Sequence, residues 1–195
     1  MTDKILYFVR HGEAESNANH FFAGQADVPL TALGIEQAKA TAPLLAHIPF
    51  DKVFCSDLQR AKSTAALALP DHKCEYTAEI REISVGELAF QKIDLCAAKY
   101  GEVFLNARKN VDYSAFGGES YEELMARAQG FLDRVAALED TSVVGAFCHG
   151  GLIRAAAHCV LGKCAIGMPD NCAIAKFACK DDKWTLCKWN VTVEM

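Results

Sequence analysis

Two apolar runs, each closed by a histidine and a glycine, constrain this chain most. The first, Ile5-Leu6-Tyr7-Phe8-Val9, ends in Arg10-His11-Gly12-Glu13; the second, Ser142 to Cys148, ends in His149-Gly150-Gly151. Short continuous apolar runs bounded by turn residues predict buried strands. In a parallel sheet the C-terminal strand ends share one edge, and ligands bind outside that edge. The pattern therefore predicts that His11 and His149 converge. Gly12 allows a tight turn and a close backbone approach. Arg10 offers a fork of donors that matches phosphate oxygens. A histidine held between them is placed to attack a phosphate.

The rest of the chain alternates in the same way. Thr31 opens a helix with Ile35, Ala38, Ala42, Leu45 and Ile48 at helical spacing, and Lys52 to Cys55 reads as a second strand. Ser56-Asp57-Leu58-Gln59 has the capping-box pattern, so a helix is expected from there to Leu69. Cys74 to Thr77 reads as a third strand. Ser120 and Glu123 form a second capping box, before a helix expected to bury Tyr121, Leu124, Ala128, Phe131, Val135 and Leu138. Gly150-Gly151 leads into a helix to about Leu161, and residues 173–193 read as a hairpin turned at 180–183. The expected architecture is α/β: a three-layer sandwich with a mostly parallel central sheet, helices on both faces and one antiparallel edge. Residues 1–195 are expected to form a single domain, with 83–119 an irregular lid or specificity segment. The aromatics Phe90, Tyr100, Phe104, Tyr113 and Phe116 of that segment either roof the pocket or simply pack.

Bulk properties exclude several classes. A formal net charge of −5 argues against non-specific nucleic-acid binding, which needs a basic face. No apolar run reaches the roughly 18 residues of a membrane span. Lys4 and a strand follow Met1 at once, which does not read as a secretory leader. Nine cysteines, an odd number with no C-x-x-C pair, read as reduced, mostly buried thiols of a cytoplasmic protein. His20, His47, His72 and His158 show no metal-ligand spacing, and no metal or other cofactor is expected. Cys148, beside His149, reads as a buried inert thiol.

Arg60 stands out on helix physics. It falls in the first turn of its helix, where a cation is disfavoured; an arginine that meets an anion explains the placement.

At these residues the chain resembles the histidine phosphatase superfamily, in the branch holding cofactor-dependent phosphoglycerate mutases, fructose-bisphosphatases and small broad-specificity phosphatases. Arg10-His11-Gly12-Glu13 with Asn17 is similar to the family's nucleophile motif. Gly24 to Thr31 with Leu33-Gly34 and Gln37-Ala38, then Ser56 to Ala61 with Thr64-Ala65, then Glu82 with Gly86, then Gly118-Glu119-Ser120, then Cys148 to Gly151 follow in the family's order. The resemblance implies that His11 is the covalent nucleophile, with its tautomer fixed by a backbone carbonyl. It implies that Arg10, Arg60, Asn17, protonated His149 and the Gly150 N–H bind the phosphoryl oxygens, that Glu82 is the proton donor, and that Gly24 and Gln25 border the substrate. Composition alone leaves Glu79 and Glu87 as alternatives to Glu82.

The function so implied is hydrolysis of a small-molecule phosphate monoester through a phosphohistidine. The alternative is a phosphoglycerate mutase. In mutases an arginine follows the proton donor and a tyrosine comes soon after, where this chain has Ile83 and Val85; a tryptophan precedes the motif asparagine, where it has Ser16; and an arginine pair sits in an inserted segment, for which only Arg108-Lys109 offers a counterpart. The non-enzyme alternative is a phosphate-recognition pseudoenzyme, which the joint presence of His11, Arg60, Glu82 and His149 disfavours.

Overall fold

The structure, a computed structural model, describes residues 3–193. Strands β1 (Lys4–Arg10), β2 (Lys52–Ser56), β3 (Cys74–Thr77), β4 (Val143–Cys148), β5 (Ile174–Lys180) and β6 (Lys183–Val191) form one sheet in the order β3-β2-β4-β1-β5-β6. The first four are parallel to one another. β5 runs antiparallel to β1 and β6 antiparallel to β5. This is the expected mixed sheet with an antiparallel edge.

The helices are α1 (Glu15–Ala18), α2 (Ala32–Leu45), α3 (Gln59–Ala68), α4 (Ile93–Asn110), α5 (Tyr121–Ala136) and α6 (Gly150–Leu161). They cover both faces. Leu6, Phe8, Phe54, Val144 and Phe177 pack beneath α5 and α6, against Leu124, Phe131, Leu152 and Ile153. Val9, Val53, Cys55 and Phe147 pack on the other side against Leu45 of α2 and Ala61 and Ala65 of α3. Strands buried on both faces explain the unbroken apolar runs that mark them in the sequence.

Local signals account for the helix starts, with exceptions. Thr31 Oγ1 accepts from Gly34 N at 3.0 Å, and Ser120 and Glu123 complete their reciprocal box at 3.2 and 2.8 Å. The box expected at Ser56 does not form. Ser56 ends β2, and Gln59 N donates instead to Asp27 Oδ1 at 2.7 Å. The buried stripe of α2 is Gly34, Ala38, Thr41 and Leu45; Ala38 and Leu45 are the expected residues, whereas Gly34 and Thr41 take the places expected of Ile35 and Ala42, and Ile35 is 37% exposed.

The segment 83–119 is not irregular: it contains the 18-residue α4. Gly101, at φ 56° and ψ −137°, breaks this helix into two pieces, so no single helical phase runs through it. Most of its aromatics pack rather than roof a pocket. Phe104, Tyr113 and Phe116 are buried, with Phe22 edge-on to Phe104 and Tyr113 at 5.9 Å. Phe90, 62% exposed, stacks on Phe21.

Candidate active site

The β1–β4 register sets Arg10 beside Cys148, so the next residues, His11 and His149, leave the sheet together. His11 N donates to Cys148 O at 3.0 Å, and the two imidazoles lie 5.2 Å apart, centre to centre. The turn after His11 passes very close to α2. A Cβ on Gly12 would sit 2.4 Å from Gly34 O, and one on Gly34 would sit 2.0 Å from Glu13 O. Only a glycine at each place lets the two backbones approach. Thr64 of α3 holds the same turn, accepting from Gly12 N at 3.0 Å and donating to Arg60 O at 2.8 Å.

His11 is buried, and its Nδ1 lies 2.7 Å from Gly12 O. A carbonyl only accepts, so Nδ1 carries the proton and Nε2 holds a lone pair. Arg60 Nε donates to that Nε2 at 3.3 Å. Burial, followed by the charges of Arg60 and Arg10, keeps the His11 imidazole deprotonated well below the ordinary histidine range.

Arg60 itself is buried, not solvated. Its Nη groups donate to Gly24 O at 2.8 Å and Ala26 O at 3.0 Å. Burial brings its pKa down to about 10, with Glu82 and Asp27 opposing. Arg10 donates through Nη1 to Pro169 O, while its Nε is buried without a partner.

His149 is fully buried, with Nε2 2.8 Å from Ser56 Oγ and Nδ1 unpartnered. Burial, Arg60, His11 and Arg10 all push its pKa well below the usual value. These positive charges by themselves disfavour the protonated form that the resemblance implies for His149 when it holds a phosphoryl group.

Glu82 faces the histidines from the loop between β3 and α4. Its Oε1 accepts from Ile83 N at 2.9 Å and its Oε2 from Gly151 N at 3.1 Å. A Cβ on Gly151 would lie 2.1 Å from Glu82 Oε1, so the second glycine of the motif makes room for this carboxylate. Gln25 Nε2 donates to Glu82 O at 3.1 Å. Asn17 makes no hydrogen bond to these groups; its Oδ1 accepts from Ala14 N at 3.0 Å, across α1. Gly150 stands at the first turn of α6 beside Arg10, with Arg10 Nε 3.2 Å from where its Cβ would be.

The sequence reading missed the support of the Glu82 loop. Arg127 of α5 donates to the backbone oxygens of Glu79, Arg81 and Glu82 and, in two-pronged fashion, to Glu119 at 3.0 and 2.8 Å. Glu119 Oε2 in turn accepts from Ser84 N at 2.7 Å. Arg81 grips Asp57 through two bonds of 2.6 Å, which holds the Asp57 carboxyl below its ordinary range. The available signal was Arg127 itself, a charge bordering the apolar stripe of Leu124, Ala128 and Phe131. His158, read as a surface or packed residue, lies 2.6 Å from Tyr121 Oη. Burial holds the Cys148 thiol well above the usual value, as expected of an inert thiol.

The chain matches the histidine phosphatase superfamily (branch 1) over residues 6–192. It belongs to that superfamily. As a histidine phosphatase it is 34% identical to an adenosylcobalamin/alpha-ribazole phosphatase of Salmonella typhimurium, over 76% of this chain and 75% of the relative. It is 36% identical to a 2,3-bisphosphoglycerate-dependent phosphoglycerate mutase of Xanthobacter autotrophicus, over 65% of each. Its fold superposes on a mycobacterial glucosyl-3-phosphoglycerate phosphatase solved with VO3, with a TM-score of 0.87 at 26% identity, covering 97% of this chain and all of the other. Among the described residues of this histidine phosphatase, no helix is long and apolar enough to cross a membrane.

Proposed function

We propose that this histidine phosphatase hydrolyses small-molecule phosphate monoesters through a covalent phosphohistidine at His11. The observation that carries the reading is the tautomer: the Gly12 carbonyl binds the Nδ1 proton and leaves an uncharged Nε2 lone pair beside Arg60. Nε2 attacks phosphorus in line, the N–P bond forms, and the P–O bond to the alcohol breaks. Glu82 gives a proton to the leaving oxygen. In the second step Glu82 takes a proton from water as that water attacks phosphorus; the N–P bond breaks and phosphate leaves. Splitting the displacement in two lowers each barrier.

Charge stabilisation supplies the rest. Arg60, Arg10, the Gly150 N–H and the Asn17 Nδ2 donate to the phosphoryl oxygens, where transition-state charge collects. The unpartnered Arg10 Nε and His149 Nδ1 support this reading, since buried polar groups are rarely left unsatisfied. His149 takes up a proton when the dianion arrives, because an adjacent negative charge favours the charged form. Gly24 and Gln25 form the substrate-side wall. The nine free thiols fit a reducing compartment, and we place the protein in the cytoplasm.

A mutase reading is supported by relatives bearing that name. Against it, Ile83 and Val85, at the places where mutases carry an arginine and a tyrosine, are buried apolar side chains that cannot bind a carboxylate. The test is a panel of phosphate monoesters. We expect release of inorganic phosphate from the wild type and none from His11→Ala. Undiminished turnover by His11→Ala would refute the assignment, and quantitative transfer to a second acceptor in place of release would favour the mutase.

A further inference from the structure

The turn from His11 to Glu13 contains two peptide groups, and all four of their polar atoms are engaged. In the first, His11 O accepts from Asn171 Nδ2 at 3.1 Å and from Cys172 N at 3.2 Å, and Gly12 N donates to Thr64 Oγ1 at 3.0 Å. In the second, Gly12 O accepts the Nδ1 proton of His11 at 2.7 Å, and Glu13 N donates to Gln37 Oε1 at 2.8 Å. Asn171 and Thr64 thus fix the first peptide. Gln37 fixes the second, whose carbonyl sets the tautomer of the nucleophile.

The fold brings Gln37 to this place through Gly34. Both stand on α2, at a spacing of three residues that puts them on one face. Gly34 presses so close to the turn that a Cβ there would lie 2.0 Å from Glu13 O, and Gln37, about one helical turn further on, then reaches Glu13 N. A trans peptide group is planar, so its N–H and C=O point in opposite directions and turn together; the described residues contain no cis peptide bond. Holding Glu13 N therefore holds Gly12 O. The hold matters most here, because a glycine backbone rotates most freely and the peptide after Gly12 is the one most able to swing its carbonyl away from the ring. The two hydrogen bonds also form a chain, from His11 Nδ1–H to Gly12 O and from Glu13 N–H to Gln37 Oε1, and bonds in such a chain polarise one another.

We propose that Gln37 is a positioning residue for the nucleophile: it acts through the Gly12–Glu13 peptide to keep the His11 proton on Nδ1 and the lone pair on Nε2. Without it the carbonyl turns away, Nδ1 loses its acceptor, and the proton moves to Nε2, the atom that must attack phosphorus. The inference rests on the phosphatase reading above, in which His11 attacks. Gln37 lines, with Thr41, Asn171 and Cys172, a cavity of about 310 Å³ between α2 and the segment before β5. A substitute of equal length is therefore needed to keep solvent from taking the place of the lost oxygen.

The experiment pairs ¹⁵N spectra of the histidine-labelled protein, which show which ring nitrogen carries the proton, with single-turnover rates of phosphoenzyme formation. The His11 signals are assigned by their loss in His11→Gln. Gln37→Met keeps the length of the side chain and offers no oxygen; Gln37→Glu keeps the acceptor. In the wild type and in Gln37→Glu the proton is expected on Nδ1. In Gln37→Met we expect a mixture of tautomers and phosphoenzyme formation slower by about 10–100-fold. The slowing should be the same with alkyl and nitrophenyl esters, because the nucleophile and not the acid is disturbed. Gln37→Asn withdraws the oxygen by about 1.5 Å and leaves the place polar; it should shift the tautomer in the same direction, and it decides the matter if Gln37→Met does not fold. A folded Gln37→Met or Gln37→Asn whose His11 ring keeps the wild-type tautomer overturns the proposal. So does a rate loss in Gln37→Met that Gln37→Glu shares in full. The spectra need no turnover, so a wild type that forms no phosphoenzyme would count against the phosphatase reading while the tautomer still decides the role of Gln37.

Discussion

Arg60 Nε donates to His11 Nε2 across 3.3 Å, while the Gly12 carbonyl binds the opposite ring nitrogen at 2.7 Å. One contact fixes where the imidazole proton sits, and the other keeps a second proton away. The Arg60 charge is second only to burial in lowering the His11 pKa. Replacing Arg60 with glutamine should therefore raise that pKa, so the nucleophile protonates at higher pH. The acid limb of the pH–kcat/KM profile should move upward, and the plateau should fall by about 10²–10³-fold with the loss of an oxyanion donor. A lower plateau with an unmoved limb would separate Arg60 from the control of His11.

The two buried histidines make stability depend on pH in a defined direction. Both have folded pKa values well below the ordinary one. Below about pH 6.5 the unfolded chain gains two protons that the folded chain refuses, so stability is complete above that pH and drops as pH falls. The slope per buried histidine is about 1.4 kcal/mol per pH unit. Urea unfolding between pH 8 and pH 5 checks this, with His149→Gln expected to halve the histidine part of the slope. An unchanged slope in that variant would mean that His149 takes up its proton in the folded state.

Gly151 is expected to be irreplaceable for a specific reason. An alanine there places Cβ against Glu82 Oε1 and must displace the carboxylate. General acid catalysis contributes about 10²–10⁴-fold and matters most when the leaving alkoxide is strongly basic. Phosphoenzyme formation by Gly151→Ala should slow at least ten times more with alkyl esters than with nitrophenyl esters. Single-turnover rates on both ester types measure it; equal slowing would leave Glu82 a positioning group.

Arg127 is expected to act through the Glu82 loop without touching the substrate. Removing its bonds to Glu79, Arg81, Glu82 and Glu119 in Arg127→Met should cost about 2–4 kcal/mol, measured by denaturant unfolding. The same variant should lose more rate with alkyl than with nitrophenyl esters. A stable variant with a uniform rate loss would contradict the clamp.

Much of this site was legible in the chain because its parts follow strand ends. His11 and His149 were bound to meet once β1 and β4 were parallel neighbours, and Arg60 betrayed itself as a cation in a helix's first turn. Ser56 misled: its capping pattern is local, but the hydroxyl is taken by His149, and Asp27, 32 residues before Gln59, caps α3 instead. Helix α4 was hidden by Gly101, which resets the helical phase midway. The direction in which the His149 pKa moves was out of reach, since it depends on burial and on charges brought from β1, α3 and α5 at once.

His11 is expected to carry the phosphoryl group. The direct measurement is rapid quenching of the enzyme with a ³²P-labelled monoester, followed by site mapping of the label by peptide mass spectrometry. Label is expected on His11 alone, at up to one phosphoryl group per chain, labile to acid and stable to base, and absent from His11→Ala. Turnover with no trappable label, or label retained in His11→Ala, would contradict it.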